Sequence, residues 1–233
     1  MREIVLDTET TGLDPKGGDR LIELGCVELV NRMPTGREYH CYFTPEGRAV
    51  HPEAEAVHGL SGSFLVTQPR FADEAPKFLE FIGNDPLVIH NASFDIGFIN
   101  HELERLGQQQ ILSTRVVDTL ALARRRHPAG PNSLDALCKR YGIDNSQRIK
   151  HGAIMDSLLL ASVYVELLGE RQTTFSLGGH GSAGARNGAA QGRARQRPAP
   201  LAARVTATME QAHRLFVETL GPKAIWRRFT STP

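Results

Sequence analysis

Five residues in three short segments have types and spacing that could hold a divalent cation. In Asp7-Thr8-Glu9-Thr10-Thr11-Gly12 two carboxylates stand at i and i+2, just after the apolar run Ile4-Val5-Leu6. That run reads as a buried strand, and on a strand i and i+2 point to one face. Paired carboxylates raise each other's proton affinity. A hard divalent cation such as Mg²⁺ or Mn²⁺ removes the penalty, because it prefers oxygen ligands. A third acid, Asp95, closes His90-Asn91-Ala92-Ser93-Phe94-Asp95, directly after the apolar run Leu87-Val88-Ile89. The carboxyl end of a buried strand is where α/β sheets build their sites. The last segment is His151-Gly152-Ala153-Ile154-Met155-Asp156. If all of it were helical, His151 would lie about 140° around the axis from Asp156. Asp156 is therefore expected on a helix, with His151 on a mobile approach to it and Gly152 between them. Taken singly, each segment also fits a bland role: solvated acids, an Asp complementing a helix dipole, a His near a helix start. Together, four acids and a histidine in suitable local structures point to metal-assisted chemistry.

The elements that must carry these residues follow from periodicity. Residues 20–30 and 38–44 are β-rich, with Thr35-Gly36 near the turn between them. Phe71, Ala75, Phe78, Leu79 and Ile82 mark a helix, and residues 94–106 form another that Gly107 closes. Val116-Val117 supplies a fifth strand, and helices are expected around 120–126, 133–141 and 154–168. Three early strands joined by short turns, then alternating helix and strand, predict an α/β layer fold with a mixed sheet. Asp118 is expected to end a strand or cap a helix, and Asp135 to lie in a helix's first turn. Neither is assigned to metal.

The 233 residues, 40% hydrophobic and 23% charged, have the composition of an ordinary soluble globular protein. No apolar run approaches the roughly 20 residues of a membrane helix, so no membrane partner is expected. The opening run Met1 to Asp7 meets a carboxylate where a signal peptide would continue its apolar stretch, which makes a cytoplasmic location the expectation. Cys26, Cys41 and Cys138 have no metal-ligand spacing and read as small apolar residues of a reduced compartment. A net charge of +1 neither marks nor excludes a nucleic-acid binder.

Composition changes near residue 178. Residues 178–200 are rich in Gly and Ala, carry Arg186, Arg193, Arg195 and Arg197, and contain no acid, which predicts a flexible linker. Beyond it Leu201, Val205, Met209, Ala212, Phe216 and Leu220 recur at helical spacing until Gly221-Pro222. An amphipathic helix after a tether needs a partner surface, and Ile225, Trp226 and Phe229 add further apolar anchors.

The acids, together with Asn31-Arg32, Thr35-Gly36, Pro52-Glu53-Ala54, Val57-His58-Gly59, residues 87–98 and Asn132-Ser133-Leu134-Asp135-Ala136-Leu137-Cys138, resemble the DEDDh 3'→5' exonuclease family. Within it the pattern is most similar to the branch of bacterial proofreading (epsilon) subunits, over essentially residues 1–170. The resemblance implies a ribonuclease-H-like fold, a mixed five-stranded sheet flanked by helices, in a domain spanning 1–171. It implies a 3'→5' DNA exonuclease using two Mg²⁺ or Mn²⁺ ions and releasing nucleoside 5'-monophosphates. Asp7 would bridge the ions, Glu9 and Asp156 would complete their ligands, Asp95 would hold the second through water, and His151 would be the general base. Glu53 and His58 would join Asp7, Glu9 and Asp156 in contacting the terminal nucleotide. In residues 172–200, Gln172 followed by Phe175 and Leu177 looks like a sliding-clamp peptide. Residues 201–233, with Phe216, Leu220 and Trp226, would dock on the polymerase catalytic (alpha) subunit. The rival readings are an RNA-trimming exonuclease of the same fold and a non-catalytic module that binds nucleic-acid ends.

Overall fold

The computed structural model describes residues 1–148, 150–169, 205–221 and 225. Five strands form one sheet: β1 (Arg2–Thr10), β2 (Leu21–Val30), β3 (Met33–Tyr42), β4 (Leu87–Ile89) and β5 (Val116–Asp118). Its order is β3-β2-β1-β4-β5. The β1–β2 and β2–β3 pairs are antiparallel, and β1–β4 and β4–β5 are parallel. The sheet is thus mixed and five-stranded. The helices are α1 (Pro52–His58), α2 (Gly62–Leu65), α3 (Phe71–Ile82), α4 (Ala92–Arg105), α5 (Thr119–Arg126), α6 (Leu134–Tyr141), α7 (Ala153–Leu168) and α8 (Ala207–Thr219).

Alternation along β1 divides the core in two. Ile4 and Leu6, with Leu24, Cys26, Leu87 and Ile89, pack on the side of α3 and α4. Val5, with Val27, Leu29 and Val88, packs under α5, α6 and α7. Continued two residues at a time, the Val5 face presents Asp7 and Glu9 toward α7, and the Leu6 face presents Thr8 toward α4. Sequence and elements agree here.

The tight turn between β2 and β3 lies elsewhere than expected. It is made by Asn31 and Arg32, both at positive φ (49° and 63°), and Val30 pairs with Met33. A two-residue hairpin needs that handedness to match strand twist. Thr35-Gly36 instead sits inside β3, where the register slips opposite Glu28 and Gly36 takes φ 81°. Two short helices, α1 and α2, follow the first three strands. Pro52 opens α1, Glu53 and Glu55 occupy its first turn, and Gly59 at φ 77° ends it. Seven residues are too few to show a period, so only the caps could have revealed it.

The chain divides into two compact units, Met1–Ser176 and Leu177–Pro233. In the second, the Thr206 hydroxyl accepts the Met209 N–H and starts α8. The helix therefore begins after Val205, short of the stripe read from the sequence. Met209, Phe216 and Leu220 are exposed. Leu201, Trp226 and the peptide of Gln172, Phe175 and Leu177 lie outside the described residues. No described helix is long and apolar enough to cross a membrane.

Candidate active site

Asp7 and Glu9 leave the sheet near the carboxyl end of β1, beside the parallel strand β4 whose end leads into α4. Asn91 takes the left-handed conformation (φ 64°) at that junction and turns the chain into α4. Asp95 follows in its first turn, 3% exposed, and accepts a 2.7 Å hydrogen bond from the Thr8 hydroxyl. Thr8 thereby ties the fourth acid to the strand that bears the first two.

Asp156 arrives from the other side of the sheet. A Cβ on Gly25 would fall within 2.3–2.5 Å of the backbone of Ala153 and Ile154, so only glycine lets α7 cross β2 this closely. Ser157 locks the crossing by donating to the Gly25 carbonyl at 3.0 Å. Gly152 is the N-cap of α7, and His151 precedes the helix, as the rotation argument requires. One ligand atom each of Glu9, His151 and Asp156 lie within 4.8 Å of one another. Asp7 lines the same cleft, of about 290 Å³, with His90, Phe94 and Asp135.

The electrostatics are those of buried, crowded acids. Burial raises the proton affinity of Asp7 well above the carboxylate range, and Asp95, Glu9 and Asp156 raise it further. Burial and then Glu23 push Glu9 up to about 8. Asp95 is pushed up to about 7 by burial, against the opposing Thr8 hydrogen bond. His151 moves the other way: burial and the nearby Arg148 guanidinium lower its affinity, leaving a neutral imidazole near neutral pH. The donor set, carboxylates with one imidazole and no thiolate, fits a hard divalent ion.

A second hollow of about 460 Å³ adjoins the first, sharing Glu9 and Phe94, and is lined by Glu53, Val57 and His58 from α1. His58 is 5% exposed; its Nδ1 accepts the Leu60 N–H at 2.9 Å, and its Nε2 has no protein partner. With Nδ1 accepting, a neutral ring carries its proton on Nε2.

Two neighbours, Glu23 and Arg148, escaped the sequence reading. Glu23 pairs directly across from Glu9, is 2% exposed, and meets His40 Nε2 at 2.7 Å. An acid inside the apolar run of β2 was its available signal. Arg148, three residues before His151, gave none. Asp135, read as a first-turn acid of α6, also binds Arg148 at 2.8 Å on the rim of the cleft. Asp118 does cap a helix: it accepts the Leu120 N–H at 2.9 Å at the start of α5.

The Exonuclease (RNase_T) family profile matches residues 4–164, most of the chain and all of this cleft. The chain belongs to this exonuclease family. Its relatives include the DNA polymerase III subunit epsilon of Rickettsia typhi, 52% identical over 180 residues, covering 76% of this chain and 78% of that one. The DNA polymerase III subunit epsilon of Escherichia coli K12 is 43% identical over 239 residues, with 97% of each chain covered. Among solved structures, the nuclease domain of 3'hExo, a DEDDh family member bound to rAMP, superposes with a TM-score of 0.62. It covers 72% of this exonuclease and 92% of that chain at 16% identity, a likeness of fold. Membership makes this exonuclease a metal-dependent 3'→5' enzyme.

Proposed function

We propose that this exonuclease proofreads for a bacterial replicative DNA polymerase, hydrolysing the terminal phosphodiester at a DNA 3' end and releasing nucleoside 5'-monophosphates. The observation that carries this is the convergence of Asp7, Glu9, His151 and Asp156 on one cleft, with Asp95 behind it, in a chain alike to the Escherichia coli epsilon subunit along nearly its whole length.

Asp7, Glu9, Asp156 and Asp95 are the residues that would hold two Mg²⁺ or Mn²⁺ ions. When bound, the ions stabilise both the attacking water and the leaving 3' oxygen. His151, whose burial favours the neutral imidazole, accepts the proton of the attacking water. The hollow beside α1 takes the terminal nucleotide. There Glu53 and His58 contact the terminal nucleotide, and Phe94 offers an apolar ring.

The remaining chain supports attachment to a larger machine. Exposed Phe216 and Leu220 on α8, with Trp226, are proposed to dock on the polymerase catalytic subunit. Gln172, Phe175 and Leu177 are proposed to bind the sliding clamp. Co-purification of the polymerase subunit with the full chain and with a chain lacking residues 201–233 tests the first assignment. Loss of the complex with digestion of free DNA unchanged is the expected result; an intact complex would refute it. In the same assay, RNA digested as fast as matched DNA would favour the RNA-trimming alternative.

A further inference from the structure

Among the described residues, one cation, Arg148, lines the acidic cleft. Arg148 reaches it from the connection between α6 and α7, and only 6% of its side chain is exposed. Its Nε and Nη2 donate to the two oxygens of Asp156, each at 2.5 Å. Its Nη1 donates to Asp135 at 2.8 Å, and Nη2 lies 2.9 Å from Nδ1 of His151. One guanidinium thus fills both oxygens of the acid on α7 and engages the ring proposed as general base.

This arrangement conflicts with metal binding at the same carboxylate. A fork-to-fork arginine–carboxylate pair is among the strongest charge-assisted contacts, and arginine cannot relieve repulsion by losing its proton. A dication coordinated by Asp156 would face that fixed charge a few ångströms away, within a low-dielectric cleft. Asp135 resolves the conflict. Its side chain is 56% exposed and stands outside the cluster of Glu9, His151 and Asp156. It can keep the guanidinium when Asp156 lets go.

We propose that Arg148 is a positioning residue which Asp156 exchanges for a divalent ion, with Asp135 retaining the displaced guanidinium on the rim. The exchange also frees Nδ1 of His151. The inference rests on the metal role of Asp156, so the test must separate the two.

The measurement is Mn²⁺ binding to the full chain, without DNA, by calorimetry. Arg148→Gln should bind Mn²⁺ at least about fivefold more tightly than the unaltered protein, since no cation has to be displaced. Asp135→Asn should bind more weakly, because the displaced guanidinium then has no acid to receive it. Combined with Arg148→Gln, the Asp135→Asn change should have no further effect. Arg148→Lys, which keeps charge but not the fork, should fall between the first two, and thermal melts in EDTA confirm that each variant is folded. Weaker or unchanged Mn²⁺ binding in folded Arg148→Gln would overturn the exchange, as would additive effects in the double variant. Asp156→Asn separates the premises: abolished Mn²⁺ binding upholds the metal role regardless of the Arg148 result. Binding that survives intact removes the premise and the proposal together.

Discussion

Glu9 is buried, stands across from Glu23 in the β1–β2 register and shares its cleft with Asp156, and its behaviour follows from the burial first and from the neighbouring acids second. Its proton affinity rises from an ordinary 4.5 to about 8. Between those values the unfolded chain has released a proton that the folded protein still holds, so folding stability falls as pH rises through the window. A divalent ion bound at Glu9 would take the proton's place and remove the decline. Melting temperature in EDTA should therefore drop as pH rises toward 8, and drop much less with Mn²⁺ present. A flat profile in EDTA would show that the acids are not crowded in this way. The five candidate residues were legible in the sequence because each follows a local rule: i and i+2 on a strand, the exit of a buried strand, a glycine before a helix. Arg148 and Glu23 were not. Their importance comes from which neighbours the fold brings to them, and no local spacing encodes that.

At the scale of elements, the site depends on how closely α7 crosses β2. Gly25 is the contact point, and its missing Cβ sets the depth at which Asp156 enters the cleft. Gly25→Val should destabilise the fold by about 1–3 kcal/mol through overpacking. It should also lower exonuclease rate by more than the unfolded fraction explains, because Asp156 is pushed away from Glu9. Parallel thermal melts and digestion assays check this; full specific activity in the folded fraction would show that the crossing does not set the site. The strands at 87–89 and 116–118 and the helix after Gly152 were readable from apolar runs and turn residues. The hairpin at Asn31-Arg32 was misplaced because Thr35-Gly36 carries the stronger glycine signal, although that glycine serves a bulge. The short helix α1, which carries Glu53 and His58, shows only in its caps.

For the whole molecule, the sheet order sets the central strand β1 beside the parallel β4, and one cleft near their carboxyl ends receives Asp156 from α7 and adjoins the hollow beside α1. The mixed sheet could be foreseen from the alternation of strand and helix, but the joining of two hollows through Glu9 and Phe94 is a property of packing alone. The segment after residue 178 was set apart by composition, and its partners must be found by experiment. The most direct measurement is release of mononucleotides from a DNA primer with a mismatched 3' end, with Mg²⁺ or Mn²⁺, by the intact chain and by Asp7→Ala. Metal-dependent 3' trimming that falls by about a thousandfold in the variant is the expected result. Trimming that persists without metal or in Asp7→Ala, or no trimming by the folded intact protein, would contradict the metal site assigned to this cleft.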